Sequence, residues 1–209
     1  MSRLLFFGDS YVQGNGFPGI DHNTPEGQYS EHTFPTLTAN ILDLEYENLG
    51  FGGTSIDDAV SKILKYDIKQ NDIVCLFWTD ISRVGKIYNE YGELSTMLVG
   101  RTDKHSREFY KYLSDEKMFY DATINIGIAN LYVKNKGATM INIPGTPFPA
   151  HSPEIIESYL LDWITNSYIT DGFGLFHKDK LPDGHCGYET HKSFAEYLAK
   201  FIIDNNLLT

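Results

Sequence analysis

A chain of 209 residues with 17 Lys and Arg against 28 Asp and Glu carries a formal net charge of −11, which repels phosphate backbones and anionic headgroups at long range. Nucleic acid and membrane surfaces are therefore excluded as expected partners. Hydrophobic residues at 42% against 22% charged are too apolar for a disordered chain and sufficient for one α/β domain over 1–209. The two cysteines are too few for a disulfide framework, and no apolar run nears the roughly 20 residues that cross a bilayer.

In chain order, the apolar run Leu4–Phe7 ends in Gly8-Asp9-Ser10, the pattern of a short buried strand feeding a tight turn. Cleavage of a leader there would remove the turn, so the expectation is a soluble protein, cytoplasmic or otherwise, without a signal peptide. Residues 11–32, rich in Gly, Pro, Asn and His, read as a long loop over the strand ends. Phe34, Leu37, Ile41 and Leu42 predict a helix over 33–42, with Thr33 as N-cap and Pro35 in its first turn. A second strand is expected over 44–49, a helix over 56–66 after the turn GFGGTS, and an almost wholly apolar strand over 72–77 that contains Cys75.

The polar stretch 82–114 then interrupts the rhythm as a loop insertion, long enough for a lid or binding element and equally compatible with a decorative loop. A helix over 116–136, a strand over 139–143 and a final helix carrying Phe194, Leu198, Ile202 and Ile203 complete the pattern. Strand-helix alternation predicts a flavodoxin-like three-layer α/β/α sandwich, with a central parallel sheet of four or five strands. Ligands of such sheets sit beyond the carboxyl ends of the strands.

Four pieces fall where that rule places a site: Ser10, Gly53, Thr79-Asp80 and Asp183-Gly184-His185. Ester hydrolysis needs a hydroxyl, a base, a group orienting the base, and donors for the oxyanion. A serine in a strand-to-helix turn can supply both the hydroxyl and a backbone donor; an N-cap serine fits the same tripeptide. Gly184 at positive φ would let Asp183 turn towards His185, while Pro182-Asp183-Gly184 is also ordinary turn chemistry. Val12 stands where the G-x-S-x-G elbow of α/β-hydrolases has its second glycine, which disfavours that family.

Taken together, FFGDS, NLGFGGTS and PDGHCGYETH occur in the order of three of the four blocks of the SGNH, or GDSL-like, hydrolases, which the chain resembles over nearly its whole length. The resemblance implies Ser10 as nucleophile, His185 as base and Asp183 as the orienting acid. It also implies an oxyanion hole of Ser10, Gly53 (with Gly52 the lesser candidate) and a third-block residue. That block departs from the usual Gly-x-Asn-Asp: Phe77-Trp78-Thr79-Asp80 puts Thr79 at the donor position, with a shorter reach and a β-branched rotamer. The commoner Asp-x-x-His spacing would put the acid at Pro182, so Asp183 is the residue taken.

Trp78 and Asp80 are the candidate substrate-binding residues, with Phe148 and Trp163 as further aromatic surfaces; packing, a cap or an ion pair with Arg83 explains the same residues. His191, six residues after His185, reads as a packing or capping residue. No metal or cofactor motif is present, so none is expected. The resulting expectation is a serine ester hydrolase acting on small or carbohydrate-linked esters, O-acetyl groups included. A non-catalytic carbohydrate-binding or structural module and an O-acyltransferase are the alternatives. Nothing in the sequence fixes an oligomeric state.

Overall fold

The computed structural model describes residues 2–21, 23–80, 83–88, 94–97, 111, 114–145 and 172–208. Strands β1 (Leu4–Phe7), β2 (Tyr46–Asn48), β3 (Ile73–Trp78) and β6 (Thr139–Pro144) form a wholly parallel sheet in the order β2-β1-β3-β6. Between them run α1 (Ser10–Gln13), α2 (Phe34–Leu42), α3 (Ile56–Lys65) and α4 (Asp115–Asn135), and α5 (Tyr188–Asp204) closes the chain.

Alternating side chains explain why the strands read as continuous apolar runs. Leu4, Phe6, Ile73, Cys75, Phe77, Ile141 and Ile143 face one way, into a core shared with Phe34 of α2 and Phe194, Leu198 and Ile202 of α5. Leu5, Phe7, Val74, Leu76, Trp78 and Met140 face the other way, against Ile56, Val60 and Ile63 of α3 and Ile126, Ala129 and Val133 of α4. Both faces are covered by helices, as in the three-layer arrangement expected of a parallel sheet.

The elements follow local signals. Ser55 and Asp58 make a capping box on α3: Ser55 Oγ accepts from the Asp58 N–H and the Asp58 carboxylate from the Ser55 N–H. Two differences from the sequence reading have physical causes. Thr33 occupies the N-cap of α2, but its hydroxyl donates back to the Ser30 carbonyl at 3.0 Å, and the buried Phe34 N–H at the start of the helix donates to His191 Nδ1 at 3.1 Å. Within 82–114, β4 (Val84–Tyr88) and β5 (Leu94–Met97) pair antiparallel with a register shift between Val84 and Lys86, so the insertion contains a two-stranded sheet. No helix among the described residues is long and apolar enough to cross a membrane.

Topology positions the site. β1 pairs with β2 on one side and β3 on the other, so the turns leaving these three strands open side by side at their carboxyl ends. Ser10, Gly53 and Thr79 belong to those turns. The hairpin before α5 brings in the fourth piece.

Candidate active site

Asp9 caps α1 with its side chain, Oδ1 accepting from the Tyr11 N–H at 3.0 Å, and this sets Ser10 as the first helical residue. The Ser10 N–H, at a helix start, has no hydrogen-bond partner among the described residues, and neither does that of Gly53. The Gly52 N–H is taken by Gln13 Oε1 at 2.7 Å, which separates the two neighbouring glycines: Gly53 has the free donor.

Residues 177–187 fold back on themselves. Leu181 N–H donates to the His185 carbonyl at 2.7 Å, Lys180 bridges Cys186, and Gly184 at φ 93° closes the turn as its sequence position requires. The hairpin is tied to α5 by Asp179, whose carboxylate accepts from the Glu189 N–H and the Thr190 N–H and hydroxyl at 2.8–3.1 Å.

These supports bring together the residues singled out from sequence. His185 Nε2 lies 3.1 Å from Ser10 Oγ, and His185 Nδ1 lies 2.9 Å from Asp183 Oδ2. Asp183 Oδ1 also accepts from the His185 N–H at 3.1 Å, so the carboxylate grips backbone and ring at once. Burial pushes the Asp183 carboxyl up, but the His185 N–H and ring outweigh it and hold it below the usual carboxylate range. Asp183 is then ionised near neutral pH, favouring the imidazole tautomer with its proton on Nδ1 and a lone pair on Nε2 towards Ser10. Tyr11 packs edge-on to the His185 ring, centroids 5.3 Å apart. An open cleft of about 800 Å³ lies against this relay, lined by residues between 15 and 24 with Pro182, Asp183 and His185.

Thr79 is held differently from the sequence expectation. Its hydroxyl donates to Asp9 Oδ2 at 2.9 Å, and Arg83 Nη1 donates to the same oxygen at 2.9 Å. A hydroxyl has one proton to give, and here it is directed to the Asp9 carboxylate. Arg83 thus pairs with the buried Asp9 through its side chain, while its N–H donates to the Asp80 carbonyl. Asp80 itself is exposed.

Trp78 is not a substrate-binding surface. It is 3% exposed, packs in the core between the sheet and α3 and α4, and donates from Nε1 to Asn142 Oδ1 at 3.0 Å. The strand alternation that points Phe77 to one helix layer points Trp78 to the other. Phe148 and Trp163 lie outside the described residues.

His191 is buried, accepts from the start of α2 through Nδ1, and stacks on Phe34 with 12° between ring planes. Burial pushes its pKa down from 6.5 to about 3. Gln13 is a residue the sequence reading missed. Fully buried, its Nε2 reaches the carbonyls of Thr24, Pro25 and Gln28 at 3.1–3.4 Å while its Oε1 holds Gly52, so one amide ties α1, the 11–32 loop and the turn after β2 together. A glutamine has no local sequence signature for such a role. Among the described residues no group of three or more His, Cys, Asp or Glu is placed to hold a metal ion.

No family model and no curated protein matches the sequence. Solved structures do. The chain is similar to a lipolytic G-D-S-L family protein from Veillonella parvula DSM 2008, with 12% identity, a TM-score of 0.52, and coverage of 98% of this chain and 97% of that one. It is also similar to an acetyl xylan esterase from Butyrivibrio proteoclasticus (16% identity, TM-score 0.62, 98% of this chain and 64% of that one). A family two carbohydrate esterase from Clostridium thermocellum in complex with cellohexaose is similar too (15%, 0.54, 99% and 65%). The chain spans about two thirds of the length of these two esterase structures. Likeness at such identities is a likeness of fold. With a parallel sheet ordered β2-β1-β3-β6, the serine turn leaving its β1 strand and these structural relatives, the chain has the fold of the SGNH, or GDSL-type, hydrolases.

Proposed function

We propose that this protein is a serine ester hydrolase that works through an acyl-enzyme, with Ser10 as nucleophile, His185 as general base and Asp183 as the group that orients it. The observation that carries this reading is the continuous relay from Asp183 Oδ2 through the His185 ring to Ser10 Oγ, closed between residues 175 positions apart. Chance packing of a surface histidine would not align both ring nitrogens with these two partners.

In the proposed reaction the Ser10 oxygen attacks the ester carbonyl as its proton passes to His185 Nε2, and the resulting imidazolium is stabilised by Asp183. The unpartnered N–H groups of Ser10 and Gly53 are the donors for the tetrahedral oxyanion. His185 then returns the proton to the departing alcohol. Water, deprotonated by the same ring, attacks the acyl-enzyme, releasing the carboxylic acid and restoring the Ser10 hydroxyl. In this scheme Thr79 supports the turn through Asp9 and gives the oxyanion nothing directly.

Small or carbohydrate-linked esters are the proposed substrates. The open cleft beside His185 supports this, as do the names of the similar structures, an acetyl xylan esterase and a carbohydrate esterase bound to cellohexaose. A fluorophosphonate probe followed by peptide mapping tests the reading. Ser10 is expected to carry the label, and a panel of acetyl, butyryl and longer aryl esters is expected to be turned over with preference for the short acyl groups. Labelling elsewhere, or turnover by pure Ser10→Ala protein, rejects it.

A further inference from the structure

The two donors of the proposed oxyanion hole come from different turns, and one buried side chain joins those turns. The Ser10 N–H leaves α1 and the Gly53 N–H leaves the turn after β2, so an oxyanion held by both needs the turns at a fixed spacing. Thr79 adds no third donor, because its hydroxyl is given to Asp9. In a hole of two donors, misplacing one removes half of it.

The turn that carries Gly53 is loosely defined by its own residues. Thr54 N–H donates to the Phe51 carbonyl at 3.2 Å, which closes a four-residue turn with Gly52 and Gly53 at its centre. Gly53 has φ 78° while Gly52 is not among the residues of positive φ, the pattern of a type II turn. Glycine at both central positions leaves four torsions weakly restrained, so the direction of the Gly53 N–H depends on restraint from outside the turn. Packing at Gly53 does not supply it, since a Cβ there would meet nothing within 4 Å.

Gln13 does supply it. The residue is 1% exposed, with the carbonyls of Thr24, Pro25 and Gln28 at 3.1–3.4 Å on the Nε2 side and the Gly52 N–H at 2.7 Å on the Oε1 side. Carbonyls accept and an N–H donates, so a single orientation of the amide satisfies them all. Held by α1 at one end and by the loop at the other, Oε1 is a fixed post. Its bond fixes the peptide that enters Gly52, and the next peptide, which bears the Gly53 N–H, departs from there.

We propose that Gln13 is a positioning residue for ester hydrolysis: by tying Gly52 to α1 it sets the spacing between the Ser10 and Gly53 N–H groups. It touches no reacting atom. The inference rests on the reading of Ser10 as nucleophile and of these two N–H groups as oxyanion donors. A plain strut for the 11–32 loop would cost stability when removed and leave the chemistry of the folded protein unchanged.

Gln13→Met keeps the length of the side chain and removes both ends of the link. With 4-nitrophenyl acetate, kcat is expected to fall about 10- to 100-fold while KM stays within about threefold, because acylation and deacylation pass through the same oxyanion and slow together. Inactivation by a fluorophosphonate, whose phosphoryl oxygen takes up the same donors, is expected to slow by a similar factor. The midpoint of the kcat/KM profile against pH is expected to stay where it is, since none of the hydrogen bonds of the Gln13 side chain reaches Asp183 or His185.

A variant that melts at lower temperature but keeps kcat and the inactivation rate overturns the inference and leaves Gln13 a strut. A rise in KM at constant kcat overturns it as well, and so does a fall in kcat with a displaced pH midpoint, which puts the damage in the relay. If Gln13→Met does not fold, Gln13→Ser, which leaves room for water to satisfy the buried groups without a fixed link, is held to the same expectations. A parent protein that hydrolyses no ester and takes no fluorophosphonate label rejects the hydrolase reading and this inference with it. An active parent with an equally active variant rejects this inference alone.

Discussion

Gly16 packs directly against the Asp183 carboxylate: a Cβ at position 16 would lie 2.6 Å from each of its two oxygens. The loop after the serine helix and the hairpin that carries the histidine therefore share a surface with no room for a methyl group. Gly16→Ala is expected to push the carboxylate off the His185 ring and to strain a backbone held at φ 91°. The expected outcome is a fall in kcat of about 10- to 100-fold, with a loss of roughly 1 kcal/mol in urea unfolding. Wild-type kcat in Gly16→Ala would mean that the position of Asp183 does not govern the rate.

Removing members of the relay should affect turnover and spare the fold. Ser10→Ala and His185→Ala are each expected to lower ester hydrolysis by several orders of magnitude, and the double variant by little more, because members of such a relay act as a unit. Asp183→Ala is expected to be severe but milder, since the His185 ring remains to take the proton. Circular dichroism and melting curves like those of the parent protein check that the loss is chemical.

Thr79→Val separates a donor to the oxyanion from a donor to Asp9. With the hydroxyl committed to a buried carboxylate, the substitution is expected to cost about 1–3 kcal/mol of stability and to change kcat less than about threefold. A drop of about 100-fold or more in kcat with unchanged stability would return Thr79 to the oxyanion hole. Arg83→Met strips the other partner from the same Asp9 oxygen. Because Asp9 is 2% exposed, the cost there is expected to reach about 3 kcal/mol.

His191 predicts an acid limb in the stability profile. The unfolded imidazole binds a proton near its ordinary value of 6.5, whereas the buried ring resists until about 3. Between those values the unfolded chain holds more protons, so stability is full above about pH 6.5 and falls progressively towards pH 3. The loss is of the order of 5 kcal/mol at the acid end. His191→Asn keeps an acceptor for the Phe34 N–H and removes the titration. Denaturant unfolding at a series of pH values is expected to show a flatter profile for that variant, displaced downwards at pH 7 by the lost stacking on Phe34. Parallel profiles would show that the ring does not titrate this way.

What the sequence determined by itself was whatever a few neighbouring residues decide. The apolar runs of β1, β3 and β6 are buried on both faces, so their composition announces parallel strands without reference to any partner. The Gly8-Asp9-Ser10 turn and the Asp183-Gly184-His185 spacing carry their geometry in three residues each. Only the tertiary structure decided what each polar side chain does once folding supplies partners from afar. Trp78 and Asp9 are examples: one joins a core 64 residues away, and the other gathers Thr79 and Arg83 from 70 and 74 residues away. Gln13 is spent on the loop and Asn15, two residues on, is left unspent, though their amides are chemically alike. The difference lies in which carbonyls and N–H groups surround each one, and those are set by the order in which the strands pack.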